Sequence, residues 1–181
     1  VHGYNKPCVK KDEIGLGSAC YRSGFVFPHA FHKNVEERNL IRCILSVCAD
    51  MLGGSQCSPL YEEVREKKGY AYSMGAGYMA GTRDDLFGIV GQLSPEYVNS
   101  TMSIIDHCLN TFLYDESLFN FTIDKICNSL DWSDVTPELK VAEKQLNFLS
   151  GFEMQGKDFY RDELTYDRFL SLVKRYDVLN P

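Results

Sequence analysis

The sequence predicts an α+β domain, an antiparallel β-sheet covered by helices on one face. Three observations lead there. Two runs of period-two character, 70–80 and 84–93, flank a short turn, which is the pattern of an antiparallel hairpin. Elsewhere apolar residues recur at helical spacing, and most of these runs open on a capping residue or a Ser/Thr-Pro pair. No short-period repeat, low-complexity tract or linker divides the 181 residues, so 1–181 reads as a single domain able to bury a full core.

Residues 1–13 are polar, with Gly3, Asn5 and Pro7, and fit either an arm or an edge hairpin. From there to Phe27, strand-type residues among small ones end at Pro28 and predict a first strand over 15–27. Asn34 is a good N-cap, and Glu37 follows three positions later. Leu40, Ile44, Val47, Cys48 and Met51 then recur at helical spacing, with Ile41 and Leu45 widening the stripe, so 35–51 is a largely buried helix. Gly53 and Gly54 end it.

Ser58 and Pro59 read as the N-cap and first position of a short charged helix. Glu62 and Glu63 suit its first turn, Lys67 and Lys68 its last, and Gly69 stops it. From Tyr70 the period is two. Tyr70, Tyr72, Met74 and Tyr78 are expected on one side, Ala71, Ser73, Gly75 and Gly77 on the other. A face of such small residues predicts the close approach of a helix or a peptide backbone. Gly81-Thr82-Arg83-Asp84 is the turn into the next strand, with FGIVG at its centre.

Ser94-Pro95-Glu96 opens a helix over 95–113, with Val98, Met102, Ile105, Cys108, Leu109 and Phe112 on its apolar face. Asp115 caps 116–131, carried by Phe119, Ile123, Ile126, Cys127 and Leu130. Thr136-Pro137-Glu138 opens 137–150, with Leu139, Ala142, Leu146 and Leu149. A loop over 151–157 follows, and Thr165 begins a last helix bearing Phe169, Leu172, Val173 and Tyr176.

Composition narrows function. The net charge of -6 and the lack of a basic stripe exclude a nucleic-acid footprint. No apolar run reaches the length of a membrane span. The seven cysteines include no Cys-x-x-Cys, and Cys43, Cys48, Cys108 and Cys127 fall on apolar helix faces. They read as reduced, buried thiols of an intracellular protein, with the cytoplasm expected and the mitochondrial matrix as the alternative. The triplets Asn99-Ser100-Thr101 and Asn120-Phe121-Thr122 lie inside predicted helices and are read as chance matches to the glycosylation pattern.

Candidate chemistry is sparse. His29 and His32 stand three apart in a loop, without the second half of any metal motif, and are read as structural or solvent-exposed. The GGSQCS turn follows a helix and lacks the Lys-Ser/Thr of a phosphate loop. Cys57 has no recognisable His companion for nucleophilic catalysis. Arg65 and Tyr72 stand apart from these. The first offers five fixed donors and a permanent charge, able to hold a peptide carbonyl or carboxylate; the second adds a phenolic donor just after a turn. The plainer alternative pairs Arg65 with Glu62 or Glu66 on its own helix and leaves Tyr72 as a half-buried strand residue.

The run SPLYEEVREKKGYAYSMGAGY resembles the signature in the second half of pitrilysin-type (insulinase-type) zinc peptidases, a group that includes processing-peptidase subunits and respiratory core proteins. Arg65, Gly69 and Tyr72 match its Arg, Gly and Tyr, with Gly69-Tyr70-Ala71-Tyr72 where Gly-Leu-Ala-Tyr is usual. The resemblance implies a LuxS/processing-peptidase-like metallohydrolase fold and the C-terminal, non-zinc domain of such an enzyme. It further implies that Arg65 and Tyr72 bind peptide substrate. No catalytic residue and no metal ligand is expected in this chain, which lacks His-x-x-Glu-His. Zinc is expected in a homologous partner domain or subunit, and this chain alone should be inactive. A non-catalytic scaffold of the same fold, like the respiratory core proteins, is the other reading.

Overall fold

The computed structural model describes residues 17–28, 34–81, 84–135, 137–150 and 155–177. The expected N-terminal arm, Cys8, the first residues of the predicted 15–27 strand, His29, His32, Thr82, Arg83, Thr136 and part of the 151–157 loop lie outside them.

A three-stranded antiparallel sheet has the order β1-β3-β2, formed by Ala19–Pro28 (β1), Ala71–Met79 (β2) and Asp84–Leu93 (β3). The expected hairpin is present, and β3 also pairs with β1 along its whole length. In β3 the alternation is clean. Asp85, Phe87, Ile89, Gly91 and Leu93 are buried, while Leu86, Val90 and Gln92 face outward.

Helix α1 (Val35–Gly53) covers the inner face. Its start is as expected, because the Asn34 Oδ1 accepts the Glu37 N–H at 2.6 Å. Its end has a different cause from the usual left-handed cap. The capping residue Gly54 is right-handed, with φ -86°. What requires glycine is contact: a Cβ on Gly53 would stand 2.1 Å from the Ala76 nitrogen and 2.7 Å from the Gly75 carbonyl carbon. One on Gly54 would meet the Asp50 carboxylate, again at 2.1 Å. The small residues of β2 are thus where a helix backbone seats against the strand, the close approach that the sequence predicts.

A buried ion pair and a half-exposed lysine hold α1 in register. Arg42, inside the helix stripe, is fully buried and donates from Nε and Nη2 to the two Asp85 carboxylate oxygens at 2.9 and 3.0 Å. It also donates to the Gly81 carbonyl at 3.0 Å, and the Gly81 N–H donates to Asp85 at 3.1 Å, so helix and hairpin turn are joined by one bidentate ion pair. The Tyr78 phenol beside it is pushed up by burial and then by the Asp85 carboxylate. At the other end of α1, Lys125 donates to Asp50 at 3.0 Å and to the Gly54 carbonyl at 2.7 Å, capping the helix with a cation.

The remaining helices are α2 (Val98–Thr111), α3 (Glu116–Val135), α4 (Pro137–Ser150) and α5 (Tyr166–Tyr176). Asp115 caps α3 through the Leu118 N–H at 2.9 Å, and Thr165 caps α5 through the Arg168 N–H at 3.3 Å. The predicted 95–113 helix begins instead as a 3-10 turn, Pro95–Tyr97, where Ser94 makes no side-chain cap. Phe119 of α3 packs against Phe169 and Tyr166 of α5, with ring centroids 5.0 and 5.4 Å apart. Cys43, Cys48, Cys108 and Cys127 are buried free thiols, and Cys20 and Cys57 are exposed ones. Thr101 and Thr122, the last residues of the two glycosylation-type triplets, are buried within helices. Among the described residues no helix is long and apolar enough to cross a membrane.

Candidate functional site

The site forms where the sheet receives the chain from the short charged helix. That helix is a π-helix, Tyr61–Lys67. The expected cap does not form: the Ser58 hydroxyl is buried and donates back to the Ser55 carbonyl at 2.6 Å. Ser58 therefore closes the preceding turn, and the helix start is left to backbone bonds such as Glu62 N–H to the Ser58 carbonyl at 3.0 Å.

Gly69 makes the reversal into β2. Its φ of +65° is in the left-handed region, where glycine has no steric penalty. The Gly69 N–H donates to the Arg65 carbonyl and the Tyr70 N–H to the Val64 carbonyl, both at 3.0 Å. Tyr70 is stacked on Tyr97 at 4.2 Å, and its carbonyl accepts the Ser94 N–H at 3.2 Å. The backbone under Arg65 is thereby tied to the sheet end where β2 starts and β3 finishes.

The expected alternation of β2 fails at one point, and that point is Tyr72. Ala71 pairs with Leu93 and Ser73 with Gln92, so Tyr72 is an extra, bulged residue. The bulge resets the phase. Ala71 and Met74 are both buried, whereas Tyr72 is 80% exposed. Tyr72 therefore does not share a face with Met74 and Tyr78, and Tyr70 precedes the strand. The plainer expectation, a half-buried Tyr72, is corrected by the same bulge.

Arg65 is 42% exposed on the π-helix. Its guanidinium carbon lies 4.7 Å from the centroid of the Tyr61 ring, and its Nε is 3.9 Å from a Glu66 oxygen, beyond hydrogen-bond distance. Glu62 and Glu63 are engaged elsewhere, by Lys67 at 3.0 and 2.7 Å. These carboxylates push the Lys67 ammonium pKa up, Glu63 more than Glu62. Behind the helix the Cys108 thiol is pushed up to about 11, by burial first and the Glu63 carboxylate second. The structure thus brings Arg65 and Tyr72 to one end of the sheet, both accessible, with no hydrogen bond between them among the described residues. Tyr61 is the neighbour that sequence reading missed. Its signal was an aromatic four residues before an arginine on one helix.

Among the described residues no three His, Cys, Asp or Glu side chains converge to hold a metal ion. The described part of this chain therefore does not fit a zinc centre.

Residues 44–120, which include Arg65 and Tyr72, match the family described as Peptidase M16 inactive domain. An uncharacterized zinc protease of Streptomyces coelicolor is 35% identical over 82 residues, a match spanning 42% of this chain and 18% of that protein. The peptidase M16 inactive domain from Pseudomonas fluorescens superposes with a TM-score of 0.56 at 21% identity, over 74% of this chain and 33% of that one. A chain of complex III2 from Candida albicans gives a TM-score of 0.66 at 11% identity, over 89% of this chain and 40% of that one. This chain thus spans well under half the length of each of these relatives.

Proposed function

We propose that this chain, which matches the peptidase M16 inactive domain over residues 44–120, is the substrate-holding half of a zinc peptidase. It completes the cleft opposite a zinc-bearing homologous domain or subunit. Arg65 and Tyr72 hold the substrate peptide there, and the metal, the general base and the attacking water belong to the partner. The observation that carries this reading is the bulge that turns Tyr72 into solvent at the sheet end where Arg65 stands exposed. A large aromatic ring so exposed, at the same sheet end as a half-exposed arginine whose Nη groups make no hydrogen bond among the described residues, suits a bound chain better than a folded core. Neither residue makes or breaks a bond. Both donate hydrogen bonds that orient the peptide.

In the protein assembled with its zinc-bearing partner, Arg65→Ala or Tyr72→Phe should lower kcat/KM on a peptide about a hundredfold, equivalent to ~3 kcal/mol for a preorganised donor. Folding and assembly should be unchanged. Arg65→Lys should rescue only in part, because an ammonium lacks the planar fork. Wild-type cleavage by both Arg65→Ala and Tyr72→Phe would overturn the reading. A second reading, a non-catalytic scaffold of this fold, has one observation in its favour: Arg65 lies against Tyr61 and Glu66 of its own helix. It predicts no peptide cleavage by the assembled protein, wild type included.

A further inference from the structure

We infer that Tyr61 is a positioning residue for Arg65, its ring serving as the platform that sets the plane of the guanidinium. The inference rests on the peptide-holding role proposed above. An arginine side chain has several free torsions and, when exposed, samples many rotamers. Something must narrow them if the Nη edge is to meet a peptide in one orientation. Glu66 cannot do so, because it stands 3.9 Å from Nε, too far for a directional hydrogen bond. Glu62 and Glu63 are held by Lys67. Among the described residues the close partner that remains is the Tyr61 ring, 4.7 Å from the guanidinium carbon and within cation–π range.

The local backbone explains why the ring sits there. Tyr61 and Arg65 are the first and fifth residues of the π-helix. Such a helix closes its hydrogen bonds one residue later than an α-helix, so each turn holds more residues. Residues four apart stay on one side of such a turn, as they do in an α-helix, and Arg65 comes over Tyr61. A ring held against a face of the ion leaves the guanidinium free to act, because the N–H donors lie in its plane and project from its edge. The ring can therefore restrain the ion without consuming the donors that a peptide carbonyl or carboxylate would use.

Three variants test this: Tyr61→Phe, which keeps the ring, Tyr61→Leu, which keeps apolar bulk without a π face, and Arg65→Ala. In NMR spectra of the chain, the Arg65 side-chain protons should be shifted upfield by the ring in the wild type and in Tyr61→Phe. In Tyr61→Leu they should return to ordinary positions. In the protein assembled with its zinc-bearing partner, Tyr61→Phe should cleave peptide at the wild-type rate. Tyr61→Leu should lose about two- to fivefold in kcat/KM, the factor expected of an exposed cation–π contact. In an Arg65→Ala background Tyr61→Leu should cost nothing more. A merely structural role would lower the rate equally in both backgrounds, and that result would overturn the inference, as would an unshifted Arg65 in the wild type. If Arg65→Ala is damaging and Tyr61→Leu is silent, the platform alone fails. If Arg65→Ala is silent, the peptide-holding reading fails, and Tyr61 positions nothing of use.

Discussion

Gly53→Ala is the substitution whose sign the structure decides against helix propensity. Gly53 is the last residue of α1 and has a right-handed neighbour at Gly54. Propensity alone favours alanine in a helix by about 1 kcal/mol. The added Cβ, however, would stand 2.1 Å from the Ala76 nitrogen, where ordinary contact begins at 3.4 Å. The obstacle is backbone on both sides, so neither can swing away as a side chain would. Either the end of α1 or the middle of β2 must retreat by roughly an ångström, at the upper end of the 1–3 kcal/mol typical of overpacking. Net of propensity, a loss of about 2 kcal/mol is expected, or roughly 4–8 °C in melting temperature for a chain of this size. Gly77→Ala is the control, because a Cβ there meets nothing within 4 Å. It should change stability by less than about 0.5 kcal/mol, or raise it slightly by restricting the unfolded chain. Urea unfolding followed by circular dichroism measures both. A neutral or stabilising Gly53→Ala would show that α1 is not seated on the β2 backbone, and the account of the GlyGly helix end would fall with it.

Asp85→Asn should destabilise by about 3–5 kcal/mol, because it removes the carboxylate facing a fully buried Arg42, and denaturant titration would show it as a shift in midpoint at unchanged slope. Alkaline pH should also weaken the fold. The thiols of Cys43, Cys48 and Cys108 and the phenols of Tyr78 and Tyr160 all have pKa values raised, mainly by burial. For Cys108 the shift runs from 9.0 to about 11. Between those values the unfolded chain has lost a proton that the folded chain keeps, so stability is complete below 9.0 and falls as pH climbs towards about 11. Comparing urea midpoints at neutral pH and near the upper value checks this; an unchanged midpoint would refute it.

The fold was legible because its signals are local. Period-two runs on both sides of a turn gave the hairpin, and side chains such as Asn34, Asp115 and Thr165 cap the helices they were assigned. What escaped was non-local. Arg42 interrupts an apolar stripe, and nothing local in the sequence marks it as a core residue; only its partner, on a strand 43 residues later, makes it one. Ser58 looked like a cap because Ser-Pro so often is one, yet its hydroxyl turns back to donate to the Ser55 carbonyl in the turn before it.

Arg65 and Tyr72 could be singled out as candidates from the sequence, but their geometry could not be read there, and the reason is the bulge. An alternation argument assumes that every residue of a strand has a partner, so it put Tyr72 in phase with Met74 and Tyr78. One unpaired residue breaks that phase and leaves no mark in the sequence. The cost of the bulge is a lost ladder position at the start of β2. Its effect is to let Ala71 and Met74 both reach the core while a large ring points the other way. A continuous ladder could have buried one of those two residues or exposed the ring, but not done all three. On the short π-helix before it Arg65 lies over Tyr61 and is 42% exposed. The two departures from regular structure thus fall on the two residues singled out for peptide binding, and both residues are accessible.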